Sequence, residues 1–346
     1  MLPTPSTSHV SYDTVYEPAE DSYLFLDTLS SAKESAWLHR RFECEPSPPT
    51  DRAASDAGTE TGANVDADAD VHLNEIEDRN LIPLLLELGP GSGVIVAFLS
   101  VHAREIFGTD VLGLSVDVNL HACIATATTV QKALVEKRER NAESESAVAQ
   151  TPTRSKSEGD GFQNPSLNPN PAQCGGSGSG NGSGSIYLSS LLGDLAAPLR
   201  AGEVDVLVFN PPYVPTESVP AHDADIGVDI GNAKEKPTFA ESSHLLELSY
   251  AGGQDGMQVT SRLLNALPTL LSTKGVAYVL FCRGNRPEEV KSWIRGWDGA
   301  NDGRWVWCAE TVGTSGRTAG WEKLEIVRIW REWKEEPKSK SESRKM

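Results

Sequence analysis

Asn210-Pro211-Pro212-Tyr213 follows directly on the apolar run Val204–Phe209, which reads as a buried strand. A polar amide, two prolines and an aromatic ring at the mouth of a strand suit one task, the holding of a planar NH2 group. The Asn210 side chain offers a carbonyl acceptor, and the carbonyl of a proline has no N–H beside it that needs a partner. Proline fixes φ, so the loop is stiff where its acceptors must be aimed. Transfer of a methyl group to an amide or amino nitrogen needs such a holder, and it needs a donor site elsewhere in the chain.

Three acidic residues mark that site. Glu87-Leu88-Gly89-Pro90-Gly91-Ser92-Gly93 joins an apolar run to a helical pattern, where glycines let the backbone approach a ligand closely. Gly-rich turns of this kind also serve nucleotides, but Glu87 and Pro90 are hostile to a phosphate: one adds negative charge and the other removes an N–H donor. A cationic amino-acid group fits better. Asp117, thirty residues after Glu87, ends the second strand, where a carboxylate can accept both ribose hydroxyls of a nucleoside; a plain helix cap is its simpler reading. Asp194 follows the third strand, within reach of an adenine amino group, although a turn Asp looks the same on its own. Acids at the ends of three successive strands converge on the crevice where open α/β sheets bind ligands.

The elements that must position these residues alternate. Strands are predicted over 82–88, 111–116, 186–192, 204–209 and 276–282, and a final pair over 305–312 and 324–330 is joined by a Gly-rich turn. Helices are predicted over 23–39 (with Asp21 or Ser22 as cap), 94–104, 120–136, 258–271 and 287–295. This order implies an α/β fold, a doubly wound, seven-stranded, mostly parallel sheet covered on both faces, with an antiparallel edge. Between the elements lie polar stretches at 43–78, 137–185 and 217–241, and a Lys/Ser/Glu-rich tail at 335–346. The first two cannot bury enough apolar surface to offset their ordering entropy and are expected to be disordered insertions, as is the third; the tail is expected to be loose. Without them a single domain of about 220 residues remains.

Of a formal net charge of -18, residues 43–78 carry -10, from eleven acidic residues and one arginine. The remainder is mildly acidic and lacks clustered Lys and Arg, which disfavours a nucleic-acid partner. The five cysteines (Cys44, Cys123, Cys174, Cys282, Cys308) show no C-x-x-C spacing and the seven histidines no ligand spacing, so no metal site is expected. Reduced thiols, the lack of a basic, apolar leader and the lack of an apolar run of ~20 residues imply a soluble protein of the cytoplasm or nucleus, with no membrane span.

Together, Glu-x-Gly-x-Gly-x-Gly, the two strand-end aspartates and Asn-Pro-Pro-Tyr resemble class I S-adenosylmethionine-dependent methyltransferases. Val15-Tyr16-Glu17-Pro18-Ala19-Glu20-Asp21-Ser22 is similar to the eukaryotic and archaeal HemK-like branch, which methylates the glutamine of release factors, and Ala251-Gly252-Gly253-Gln254-Asp255-Gly256 resembles that family's later glycine loop. The resemblance implies S-adenosylmethionine contacts at Ser22, Glu87, Gly89, Gly91, Asp117, Asp194 and Leu195. It places Asn210, Pro211 and Tyr213 in the catalytic role and Asn210, Pro212 and Tyr213 against the acceptor, the glutamine of a Gly-Gly-Gln motif in the class I translation release factor. It also implies a small zinc-binding activator as heterodimer partner. Adenine N6-methylation, lysine methylation and an idle binding scaffold are the rival readings. The chain departs from the pattern in Tyr250, where many relatives carry Trp, and in the long polar stretch after the NPPY loop. Gly252-Gly253-Gln254 also spells the methylated tripeptide itself, which a loop that begins Gly-Gly does by coincidence.

Overall fold

A computed structural model describes residues 2–43, 82–149, 184–220, 237–298, 305–315 and 323–333. Most of the predicted insertions and tail, and the turn between the last two strands, lie outside the described residues.

The chain opens with an irregular segment and helices α1 (Glu20–Leu29) and α2 (Ala32–Phe42). Then come β1 (Leu84–Leu88), α3 (Val94–Val101), α4 (Ala103–Phe107), β2 (Leu112–Asp117), α5 (Leu120–Ala149), β3 (Ile186–Leu192) and β4 (Val204–Phe209). The second half holds α6 (Phe239–Tyr250), α7 (Gln258–Leu270), β5 (Leu271–Cys282), α8 (Pro287–Arg295), β6 (Trp305–Thr314) and β7 (Leu324–Trp333). One sheet runs β3-β2-β1-β4-β5-β7-β6. Pairings from β3 through β5 are parallel, and β7 runs antiparallel to both β5 and β6. Strand order therefore reverses between β1 and β4, and the carboxyl ends of these two strands open the crevice such sheets use for ligands.

Alternating side chains of the central strands feed two cores, one on each face. Leu85, Val206, Val208, Val276 and Tyr278 pack with α1 to α4, whereas Leu86, Leu207, Ala277 and Val279 pack with α7 and α8. A strand buried on both faces must be apolar throughout, which is why β1 and β4 are legible as unbroken runs.

Several boundaries differ from the sequence reading. The helix expected over 23–39 is two helices. Ser30 turns its hydroxyl back to the Leu26 carbonyl, and Ser31 caps α2 by accepting from the Glu34 N–H, so adjacent serines divert the backbone. α1 begins at Glu20 behind Ala19, with no side-chain cap, so neither Asp21 nor Ser22 is a cap. The helix expected over 94–104 breaks at His102, whose φ of -108° and ψ of 22° leave the helical region while its ring meets the Pro3 carbonyl at 2.9 Å. α5 continues past 136 to Ala149, so the start of the stretch 137–185 is helical. The end of the stretch 217–241 is helical too, because Thr238 and Glu241 form a reciprocal capping box that starts α6.

α2 is fastened to the sheet by a buried ion pair. Arg328 donates from Nη1 to both Glu34 oxygens (2.8 and 2.9 Å), Tyr278 adds its hydroxyl, and the guanidinium stacks between Trp37 and Trp330. Such a pair is tolerable because both Glu34 oxygens and both Arg328 Nη groups are engaged, although the buried Arg328 Nε has no partner among the described residues.

Candidate active site

The crevice at the strand ends is a cavity of about 230 Å³. Its walls include Val15, Tyr16, Asp21 and Ser22 from the N-terminal segment, and Glu87, Gly89 and Gly91 from the β1 loop. Asp117, Asp194, Leu195, Asn210 to Tyr213 and, from α6, Leu245 and Leu248 complete it. Every residue singled out in the sequence as a site residue thus reaches one cavity.

Gly89, Gly91 and Gly93 have φ of 58°, 55° and 78°, so the turn after β1 needs three left-handed residues in seven. A Cβ at Gly93 would overlap the Thr126 backbone of α5, which explains a glycine for packing as well as for conformation. Glu87 is buried and accepts the Val96 N–H of α3 at 2.8 Å. Burial pushes its carboxyl well above the usual carboxylate range; the Val96 N–H opposes this and the charge of Asp117 adds to it. Asp117 accepts from Asn119 N at 2.8 Å and from Gly91 N at 3.3 Å, and burial raises it to about 6 against those backbone donors. It does not cap α5. That role falls to Asn119, whose Oδ1 accepts the His121 N–H at 2.9 Å while its Nδ2 donates to the Thr14 carbonyl at 2.7 Å. Asn119 thereby pins the N-terminal segment across the mouth of the site. Asp194 is ion-paired with Arg262 of α7 and half-exposed, and Leu195 next to it has a φ of 50°.

At the other end of the cavity, Asn210 donates its Nδ2 to Asp21 Oδ2 at 3.0 Å. Its Oδ1 is buried and has no partner. Asp21 is held in turn by Tyr16 Oη at 3.2 Å and by the N–H and hydroxyl of Ser22 at 2.6 and 3.2 Å. The NPPY loop is buttressed from behind. Val214 pairs with Tyr250 and Gly252 as a short parallel bridge, and Asn285 donates to the Tyr213 carbonyl at 3.2 Å. Side chains at Gly252 and Gly256 would overlap the Pro212 and Tyr213 carbonyls respectively. Close backbone contact therefore accounts for Gly252 and Gly256, while Gly253 has a φ of 69° and packs against the Gln258 side chain. Tyr250 lines the cavity at the position where the family pattern suggested Trp.

Sequence reasoning missed Asp21, Asn119 and Arg262. The Asp21 to Asn210 contact spans 189 positions, so no local pattern shows it.

No protein-family model matches the chain. Among curated proteins it is 25% identical over 293 residues to human "Methyltransferase HEMK2", covering 83% of this chain and 82% of that protein. It is 37% identical over 134 residues to the Schizosaccharomyces pombe protein "eRF1 methyltransferase catalytic subunit mtq2", covering 38% of this chain and 46% of that protein. The chain is a methyltransferase, and it is similar to HemK-like enzymes of the eukaryotic branch. Among solved structures, a SAM-dependent methyltransferase from Aquifex aeolicus aligns with a TM-score of 0.29 at 10% identity, over 71% of this methyltransferase and 81% of that chain. No described helix is long and apolar enough to cross a membrane.

Proposed function

We propose that this methyltransferase transfers the methyl group of S-adenosylmethionine to the side-chain nitrogen of the glutamine in the Gly-Gly-Gln motif of the eukaryotic class I release factor. The observation that carries the reading is the buried, unpartnered Asn210 Oδ1 in the cavity that also holds Glu87 and Asp117. A carbonyl oxygen with nothing to accept, aimed from a stiff loop, is the half of a hydrogen bond that an NH2 group completes. The name of the fission-yeast relative, an eRF1 methyltransferase, supports a release-factor acceptor over nucleic acid.

The cavity fits the cofactor. Its donor end offers carboxylates for a cationic amino-acid group and for hydroxyls, together with glycines whose backbone a ligand can approach. Glu87 would face the amino-acid end, Asp117 the ribose, and Asp194 with Leu195 the base, with Ser22 and Gly89 and Gly91 closing around it. When bound, the cofactor supplies an electrophilic methyl group.

An amide nitrogen is a poor nucleophile because its lone pair is delocalised into the carbonyl. Asn210 Oδ1 and the Pro211 carbonyl would each accept one of its two hydrogens and fix the nitrogen on a single line of approach. Tyr213 and Pro212 would bracket the flat group. The protein then contributes mainly positioning, which can supply several kcal/mol without a dedicated base.

A small zinc-binding activator is proposed as partner on β3. That strand is one of the two edges of the sheet, and among the described residues Ile186, Leu188 and Leu192 are exposed on it, as is Ile124 on the α5 helix packed beside it. An apolar open edge is a surface that proteins cover. The yeast relative's name, which describes a catalytic subunit, supports a two-subunit enzyme.

The test supplies the enzyme and its activator with labelled donor and three acceptors: the release factor, the factor with Gln→Ala in its Gly-Gly-Gln loop, and DNA. Label on the intact factor alone is expected. Label on DNA alone would sink the reading.

A further inference from the structure

We infer that Asp21 is the residue that decides which way the Asn210 amide faces, and so determines that the site accepts an NH2 donor rather than a carbonyl or carboxylate. The inference rests on the acceptor reading above and deepens it.

An amide side chain has two nearly isosteric ends, one accepting and one donating. Without a neighbour of fixed polarity it can turn by half a rotation at little cost, and the cavity would then present NH2 instead of C=O. Asp21 removes that freedom, because its carboxylate can only accept. The oxygen Oδ2 meets Asn210 at 3.0 Å, so the nitrogen must be the end that faces it, and Oδ1 of Asn210 is left buried and unpartnered. The carboxylate is itself immobilised. Oδ1 of Asp21 takes the Ser22 N–H at 2.6 Å and the Ser22 hydroxyl at 3.2 Å, while Oδ2 takes the Tyr16 hydroxyl at 3.2 Å. Asp21 is only 3% exposed, so water competes weakly for these bonds. A charged acceptor behind the amide also polarises it, strengthening the far carbonyl oxygen as an acceptor.

The same geometry makes Asp21→Asn a sharp probe. One of the two oxygens becomes an NH2 group. At the Oδ1 position it would face the Ser22 backbone N–H at 2.6 Å, donor against donor, and a backbone N–H cannot rotate away. The NH2 is therefore driven to the Oδ2 position, where it donates to Asn210 only if that amide turns over. The turned amide then offers its own NH2 to the cavity, which repels a glutamine NH2 and attracts a carboxylate. Asp21→Ala removes the constraint without reversing it.

The experiment uses the full chain with its activator and follows kcat, KM for the release factor, donor affinity by calorimetry, and inhibition by a release factor carrying Gln→Glu in its Gly-Gly-Gln loop. Asp21→Asn is expected to lower kcat about 10²-fold, the size of loss seen when one aimed hydrogen-bonding group is removed. Donor affinity and melting temperature should hold, and the Gln→Glu factor should become the tighter inhibitor relative to its effect on the wild type. Asp21→Ala should lower kcat less and leave inhibition near the wild-type value. Retention of kcat within about threefold in Asp21→Asn, or a loss seen only in donor affinity, would overturn the inference. A substrate-free readout separates its failure from that of the function: the side-chain NH2 resonances of Asn210, assigned by their loss in Asn210→Ser, should exchange slowly in the wild type and fast in Asp21→Ala. Equal exchange in both contradicts the inference whatever the acceptor proves to be, and slow exchange with an unlabelled release factor upholds it while the acceptor reading fails.

Discussion

At the donor end of the cavity the carboxylates of Glu87 and Asp117 already hold backbone N–H groups, whereas at the acceptor end the Asn210 carbonyl oxygen has no partner at all. The donor end is thus internally satisfied when empty, and its acids wait at the cost of being buried. The acceptor end keeps an Asn210 oxygen without a protein partner among the described residues, inside a loop made rigid by two prolines and by glycines packed onto its carbonyls. Binding at the first end trades one set of partners for another, while binding at the second fills a gap. Affinity for the donor should therefore tolerate changes that abolish transfer.

Asn210→Ala is the largest break in that comparison. It should lower kcat about 10²–10³-fold while donor affinity by calorimetry stays within a few-fold of wild type. Equal losses in both would mean that the two ends are one unit. Next in size is Gly256→Ala, which forces a Cβ into the Tyr213 carbonyl at a φ of 67°. A loss on the order of 3 kcal/mol in stability is expected from the clash and the backbone strain, measured by denaturant unfolding. If the fold tolerates it, transfer should fall more than donor binding, because the displaced element is the acceptor loop.

The smallest effect is in pH. Burial raises Asp117 from 3.8 to about 6, so its contribution to the stability of the empty protein is present below 3.8 and lost as pH rises through about 6. A ligand that donates hydroxyls to the carboxylate favours the ionised form, so donor affinity should increase as pH rises through about 6, with proton release on binding there. Asp117→Asn should flatten that step in calorimetry. A step that persists in the variant would assign it to another group.

Much of this fold and site is legible in the amino-acid sequence. Val204–Phe209 and Pro287–Arg295 fall where apolar pattern and a leading proline put them, because a buried parallel strand and a proline-started helix leave local marks. The strand-end acids and NPPY stand out because the chemistry demands residue types at fixed places in the alternation. The break at Ser30–Ser31 and the continuation of α5 to Ala149 do not, since a serine pair within an apolar pattern and polar helical turns carry weak signals. Asp21 illustrates the deeper limit. Its position at a helix start suggests a cap, yet its partner is 189 residues away, and only the folding of the N-terminal segment over β4 brings the two together. Arg262 beside Asp194 is hidden for the same reason.

The central claim is that an NH2 of glutamine sits on Asn210 while its methyl donor sits over Glu87 and Asp117. The most direct measurement is tandem mass spectrometry of the release factor after incubation with the enzyme, its activator and the donor, for the wild type and for Asn210→Ala. A single methyl group on the side-chain nitrogen of the Gly-Gly-Gln glutamine, made by the wild type and missing with Asn210→Ala, is the predicted result. Methylation at a lysine instead, or an unchanged yield from Asn210→Ala, would contradict it.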